Sequence, residues 1–435
     1  MFAAQPKLDF TIKTLSPAKY PSPLLPPFTS DENRILFDTS ADAWEKGMRK
    51  EYEPVFIELA GSREHLFFEP HTCRAAIVTC GGLCPGLNDV IRAIVMNLWH
   101  TYGCRDILGL QWGYEGLIEA YQHKPIQLTP EVVEKIHDLG GSILGSSRGD
   151  QNIGSMTDFL ENNGVDILFA IGGDGTLHAA HEIAEEVEKR GLKRSIIGIP
   201  KTIDNDISFV AKSFGFETAF STAANAIASA HTEAKAARNG IGLVKLMGRH
   251  SGFIAANATL ANRDVNFCLI PEADFDLDGE NGLFMNIRKR LAKRGHAVIV
   301  VAEGAGQKFF EASGETDKSG NVRFGDIGLF LKSKIETYFK EIKAEITIKY
   351  IDPSYMIRSV PSIPTDSVFC GFLGQMAVHA GMAGKTDMLV GLWNNMFTHL
   401  PIKAAISRRK MINPAQKLWM SVMETTGQTD LKNPS

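Results

Sequence analysis

Three short segments of this chain combine residue types that bind and move phosphate. The first, Gly81-Gly82-Leu83-Cys84-Pro85-Gly86-Leu87-Asn88, follows the apolar run Ala75–Thr79 and precedes a helical stretch from Asp89 to Trp99. Its glycines let backbone N–H groups approach an anion at a helix N-terminus, where the partial positive charge favours it. Taken alone, a strand-to-helix turn without a ligand explains this segment equally well. The second, Gly172-Gly173-Asp174-Gly175-Thr176, follows Ile167–Ile171 and opens a helical segment from Leu177 to Glu188. Here two glycines expose the backbone to phosphate oxygens, and the Asp174 carboxylate suits Mg2+, a hard cation that prefers oxygen ligands and phosphate partners. The pattern recurs in several kinase families, lipid and NAD kinases among them, so it points to phosphoryl transfer before it names an acceptor. The third, Lys201-Thr202-Ile203-Asp204-Asn205-Asp206, follows Ser195–Ile199. In an extended chain Thr202, Asp204 and Asp206 share one side. One aspartate can then take the proton of an attacking hydroxyl while the other orients it or holds metal-linked water. An acidic, solvated loop is the plainer alternative.

The elements around these segments explain why they matter. From Arg74 onward, short runs of valine, isoleucine and leucine alternate with stretches of helical periodicity, the pattern of a parallel sheet covered by helices. The runs Ala75–Thr79, Ile107–Gln111, Ile167–Ile171, Ile196–Ile199, Gly242–Met247 and Ala297–Ala302 are the predicted strands. In open α/β sheets ligands collect beyond the carboxyl ends of the strands, where the phosphate-type segments fall. Before this pattern begins, Pro17, Pro21, Pro23, Pro26 and Pro27 mark an extension that cannot form long helices or central strands. After Leu400, apolar residues including Ile402, Trp419 and Met423 predict one or two helices packing on the body.

Composition sets limits on function. With 435 residues, 44% hydrophobic and 22% charged, the chain reads as an ordinary globular α/β protein, and its length suggests about two or three domains. A net charge of −4, with no long run of lysine or arginine, leaves no extended footprint for nucleic acid. No apolar stretch approaches the roughly 20 residues of a membrane span. No secretory leader pattern opens the chain, and its six cysteines show no zinc-type spacing. A cytoplasmic protein with reduced thiols is the expectation.

The three segments, in this order and spacing, resemble the ATP-binding, magnesium-binding and catalytic loops of the phosphofructokinase family, and the likeness extends over roughly residues 74 to 400. An N-terminal extension of this kind is shared with the long-chain ATP-dependent group of plants and trypanosomatids. The resemblance implies two Rossmann-like, three-layer α/β domains with the active site in the cleft between them, plus the extension and a C-terminal helical tail. Residues 1–72 then form the extension, 73–215 the nucleotide-binding domain, to which part of about 357–400 returns, 216–356 the sugar-phosphate domain, and 401–435 the tail.

It also implies roles. Gly81, Gly82, Arg148, Gly149, Gly173, Asp174, Gly175 and Thr176 match the positions that hold ATP, with Mg2+ at Asp174. Asp204 matches the general base on the 1-hydroxyl of fructose 6-phosphate, and Thr202, Ile203 and Asp206 its neighbours. Arg249, in the Met247-Gly248-Arg249 motif, matches the arginine that offsets charge on the transferring phosphoryl group. Glu303 resembles the acceptor for sugar hydroxyls, and Arg358 an arginine for the 6-phosphate. Tyr355 and Lys349 stand where bacterial allosteric members carry a histidine and a phosphate-binding arginine. Gly240 replaces an arginine that those members lend across a subunit interface. The expected protein is thus an allosteric glycolytic kinase, a homo-oligomer (tetramer or dimer) acting on small molecules, with no nucleic-acid or membrane partner.

Two positions bear on the phosphoryl donor. Pyrophosphate-using members carry an aspartate at Gly175, where its charge would oppose a nucleotide's α-phosphate, so glycine favours ATP. Lys201 points the other way, being the residue of pyrophosphate users. Gly175 weighs more, because a lysine can bind the transferred phosphate from either donor. The alternatives are a pyrophosphate-dependent fructose 6-phosphate 1-phosphotransferase, a non-catalytic regulatory subunit of the same fold, and, more weakly, a lipid or NAD kinase.

Overall fold

Strands Ile167–Gly172 and Ser195–Pro200 are buried along their whole length, as uninterrupted apolar runs require when helices cover both sheet faces. They lie at the centre of a nine-stranded sheet in the computed structural model, which describes residues 9–49, 51, 53–311 and 323–434. Across the sheet the order is Arg34–Leu36, Phe56–Leu59, Met396–Pro401, Met388–Trp393, Ser195–Pro200, Ile167–Gly172, Arg74–Thr79, Asp106–Leu110 and Ile126–Gln127. The five strands from Met388–Trp393 to Asp106–Leu110 are mutually parallel, and the flanking ones pair antiparallel. Helices Leu87–Met96 and Pro364–Met382 pack on each other, while Asp174–Lys189 packs on Ser195–Pro200. This sheet belongs to the first of two compact units, formed by residues up to Thr202, Ile207–Gly215 and Pro361–Arg409.

The proline-rich extension is part of that unit. Its strands Arg34–Leu36 and Phe56–Leu59 add to the sheet edge, and Phe10 enters the core. A buried ionic cluster fastens it. Lys385, only 2% exposed, reaches Asp31 at 2.7 Å and Glu58 at 3.2 Å, and Arg63 contacts Asp31 at 2.8 Å and Glu58 at 2.7 Å. Burying charge is costly unless each group is paired, so removing one partner here strands the others.

The second unit comprises Ile203–Asp206, Phe216–Val360 and Lys410–Ser435. It has its own four-stranded parallel sheet, ordered Phe267–Leu269, His296–Ala302, Gly240–Leu246 and Thr347–Ile351. Helices Phe216–Ala236, Leu283–Arg294 and Ile327–Glu341 pack against it. The residues after Leu400 divide between the units: helix Ile402–Ala405 stays with the first, and helix Lys417–Thr426 joins the second against Phe253–Asn262. Among the described residues no helix is long and apolar enough to cross a membrane, and all six cysteines are buried and free.

Candidate functional site

In the first unit, three adjacent parallel strands deliver the two glycine-rich loops and Lys201–Thr202, the start of the third, to one edge. Thr79 is in register with Ile171, and Gly172 with Pro200. The ladder continues one step beyond the strands, Cys80 N–H donating to Ile171 O (3.0 Å) and Lys201 N–H to Gly172 O (2.9 Å). Helix Leu87–Met96 begins at Gly86, whose φ of 94° lies in the left-handed region that glycine tolerates. A side chain there would also meet Cys370 Sγ at 2.5 Å.

The Gly81–Gly82 loop is held from two sides. Gly81 N–H donates to Ser147 O (3.0 Å), Ser146 Oγ donates to Gly81 O (2.6 Å), and Lys201 Nζ donates to Gly82 O (2.7 Å). Lys201 is 6% exposed, so this cation is fixed against the loop. Arg148 and Gly149, which continue the Ser146–Ser147 segment, are exposed.

Gly173 caps helix Asp174–Lys189, placing Asp174 in its first turn. The three glycines here differ in their physical reasons. A Cβ on Gly172 would collide with Thr176 at 2.1 Å, and one on Gly173 would touch Lys201 O at 3.4 Å, whereas one on Gly175 would meet nothing within 4 Å. Packing therefore demands glycine at 172 but not at 175. The half-exposed Asp174 carboxylate lies 3.5 Å from His178 Nδ1 and 3.6 Å from the Arg409 guanidinium. Thr176 is buried, and its carbonyl accepts a hydrogen bond from Tyr114 (2.8 Å).

The third loop departs from the extended form expected of it. It bends at Ile203–Asp204, and Asn205 takes φ = 54°. Even so, Thr202, Asp204 and Asp206 are all half-buried while Ile203, Asn205 and Ile207 are buried. Thr202 O accepts from Ser213 Oγ (2.6 Å) within the first unit; in the second, Asp204 O accepts from Ser251 Oγ (3.2 Å).

The second unit gathers charged side chains at the carboxyl ends of its strands. Glu303 follows His296–Ala302 and donates its N–H to Leu246 O (2.9 Å). Gly304 lies so close to the Arg249 carbonyl that a Cβ would fall 1.9 Å from it, and Gly248 takes φ = 127°. Glycine is obligatory for this close approach of the two turns. Burial raises the Glu303 carboxyl above its ordinary range, with the Arg249 and Lys245 charges pulling it back. Arg249 stacks over Phe324 (4.8 Å) and Arg358 over Tyr355 (4.8 Å), whose ring is largely exposed. Lys349 has a different setting. It lies mid-strand in Thr347–Ile351 and pairs with Glu233 at 3.3 Å.

Several residues of this region were not foreseen. Lys245 reaches Asp326 (2.9 Å) and Asp352 (2.8 Å). Burial pulls its ammonium down, yet those hydrogen bonds hold it above its ordinary value. A lone charged residue inside the apolar strand Gly240–Leu246 was the available signal. Arg409 beside Asp174, and Lys410 on the Asn205–Asp206 turn, left no comparable trace. A separate cavity of about 560 Å³, lined by Trp419 and Met423 among others, contains none of the motif residues.

Comparison with known proteins gives the family and the fold. The family described as Phosphofructokinase matches residues 74–381. The chain is 50% identical to an "ATP-dependent 6-phosphofructokinase" of Borreliella burgdorferi, covering 97% of each. It is 46% identical to "ATP-dependent 6-phosphofructokinase 5, chloroplastic" of Arabidopsis thaliana over 86% of this chain and 70% of that one. Its fold is similar to the crystal structure of a pyrophosphate-dependent phosphofructokinase from Marinobacter aquaeolei, with a TM-score of 0.67 and 16% identity over 83% of this chain and 93% of that one.

Proposed function

The chain belongs to the phosphofructokinase family, and on that premise we propose that it is an ATP-dependent 6-phosphofructokinase, moving the γ-phosphate of ATP to the 1-hydroxyl of fructose 6-phosphate. The observation that carries this reading is the pair of glycine loops at the ends of neighbouring parallel strands of the first unit, with Lys201–Thr202 following the next strand and open space where a side chain on Gly175 would stand. Backbone N–H groups of Gly82 and Gly173, together with the N-terminus of helix Asp174–Lys189, bind the triphosphate, while Gly81, its N–H held by Ser147 O, keeps the loop in shape and lets the phosphates approach. Lys201 and Arg148 add positive charge.

The half-exposed Asp174 carboxylate suits Mg2+, which commonly takes one or two carboxylates and completes its shell with substrate phosphates and water. When bound, the ion neutralises phosphate charge and aligns the oxygens. Arg409 and His178, the carboxylate's present neighbours, are displaced from it or share the phosphates.

On the second unit, Glu303 accepts hydrogen bonds from sugar hydroxyls, while Arg358 binds the 6-phosphate and Tyr355 borders it; Lys349, mid-strand and paired with Glu233, is not assigned to the phosphate. The sugar's 1-oxygen forms a bond to the γ-phosphorus as the bond to the β-phosphate oxygen breaks, and the hydroxyl proton passes to Asp204. ADP leaves with the electron pair. Arg249, held by the Met247–Gly248 turn, offsets charge on the transferring group. Thr202, Ile203 and Asp206 shape the turn around the base.

Gly175 is the reason to prefer a nucleotide donor, because nothing in the protein's own packing excludes a side chain there. Assaying the purified chain on fructose 6-phosphate with ATP and with pyrophosphate tests this. Turnover with ATP is expected; turnover confined to pyrophosphate would give Lys201 the deciding role instead. A homo-oligomer in the cytoplasm is part of the same reading, and light scattering that returned a monomer would remove the former.

A further inference from the structure

The turn that carries the general base has little regular structure of its own. It bends at Ile203–Asp204 and holds Asn205 at a left-handed φ of 54°. Asparagine adopts that region more readily than most residues, so the form of the turn is set by the partners that hold its side chain and backbone. Within the second unit, much of that support comes from a part of the chain some two hundred residues away. Lys410 N–H donates to Asp206 O at 2.8 Å, and Lys410 Nζ donates to Asn205 Oδ1 at 3.0 Å. The same ammonium lies over the Phe253 ring at 5.2 Å.

Two residues on, Ile412 N–H donates to the Glu272 carboxylate at 2.9 Å. Both Glu272 oxygens also accept Gly252 N–H at 3.0 Å, and Ser251 Oγ donates to Asp204 O at 3.2 Å. The Asp204–Asp206 turn and the Arg249–Gly252 turn are thus bonded to each other and to one short segment of the C-terminal chain. The arrangement is costly: burial drives the Lys410 ammonium down to about 7 despite the Asp206 charge, and burial raises Glu272 against the N–H groups that stabilise its charged form.

We infer that residues Lys410–Ile412 form a clasp that positions the base turn and the arginine turn together, with Lys410 as a positioning residue acting through Asn205 and Asp206. This rests on the kinase reading for its catalytic consequence but not for its structural one. Misplacement by about an ångström can cost on the order of a hundredfold in rate. Lys410→Met is therefore expected to lower kcat by roughly ten- to a hundredfold, with KM for fructose 6-phosphate within about threefold of wild type. Asn205→Ala should reproduce the effect, the double variant should add little to either, and Lys410→Arg should recover part of the loss.

The deciding measurement pairs these kinetics with amide hydrogen exchange on the full chain. In Lys410→Met, exchange should accelerate across residues 203–207 and 249–253 while the strands keep their protection. Unchanged exchange in both turns overturns the clasp, as does a kcat within about twofold of wild type or independent, multiplicative effects of Lys410→Met and Asn205→Ala. A wild-type protein that failed to phosphorylate fructose 6-phosphate would overturn the functional reading alone, because exchange reports on the clasp without turnover.

Discussion

The two units build their functional surfaces from different materials. The first uses backbone: glycines at 81, 172 and 173, a helix N-terminus, and a lysine fixed on a carbonyl. The second uses side chains: Lys245 pairs with Asp352, and Arg249, Lys245, Asp352 and Arg358 all act on the buried Glu303 carboxyl. Backbone amides can hold any polyphosphate oxygen but discriminate little among donors, so in the proposed reading donor specificity falls to Gly175, where a side chain would meet nothing within 4 Å. A sugar phosphate presents distinct hydroxyls and a distant phosphate, and only separately placed side chains can read those.

Changes that break this contrast should differ in kind as well as size. Asp204→Ala removes the base and should lower kcat by about 10² to 10⁴ while ATP binding, followed by calorimetry, stays near wild type. Unaltered turnover would reassign the base. Gly175→Asp places a carboxylate in open space, so the protein should fold normally, yet kcat/KM for ATP should fall roughly ten- to a hundredfold through charge repulsion and desolvation. KM for fructose 6-phosphate should barely move, and an unchanged KM for ATP would show that the residue does not face the nucleotide.

Glu303→Gln probes the side-chain half and should raise KM for fructose 6-phosphate by about tenfold, the scale of one charge-assisted hydrogen bond. Its pH dependence has a definite sign. Because burial raises this carboxyl, it takes up its proton at a higher pH than an ordinary glutamate. Sugar affinity in the wild type should thus weaken as pH falls, beginning above the ordinary carboxylate range, and the glutamine variant should lack that limb of the profile. In stability terms a raised carboxyl favours the folded state below its unfolded value and loses that contribution as pH rises through the folded one.

The smallest effect is expected from Lys245→Met. Without the lysine, Asp326 and Asp352 lose a shared partner, and the segment from Asp352 to Arg358 loosens. KM for fructose 6-phosphate should rise by roughly three- to fivefold, with ATP kinetics unchanged. An equal effect on ATP would dissolve the contrast between the units.

Much of the first unit was legible because glycines and short apolar runs act locally. Ile167–Ile171 followed by Gly172–Thr176 predicts a strand, a turn and a helix from Leu177; the structure has the strand and the helix, but the helix starts three residues earlier, at Asp174, capped by Gly173. The expectation that Thr202, Asp204 and Asp206 alternate along an extended chain does not hold, since the segment bends at Ile203–Asp204 and Asn205 is left-handed, a conformation set by contacts from elsewhere in the chain. The ionic cluster that fixes the extension was not legible at all: Asp31, Glu58, Arg63 and Lys385 are unremarkable charges in the sequence.

The sequence by itself determined the class of chemistry and the strand-loop-helix order, because these follow from residue types, short motifs and periodicity, whereas which glycines are obligatory was decided by close contacts in the folded chain. Tertiary structure alone decided that Lys245 would bind Asp326 and Asp352, that Arg409 would face Asp174, and that Lys410 would brace the turn beside Asp204. Those contacts join residues from dozens to hundreds of positions apart. A hydrogen bond closed over such a distance depends on the packing of both sheets' surroundings and leaves no periodic pattern in the chain.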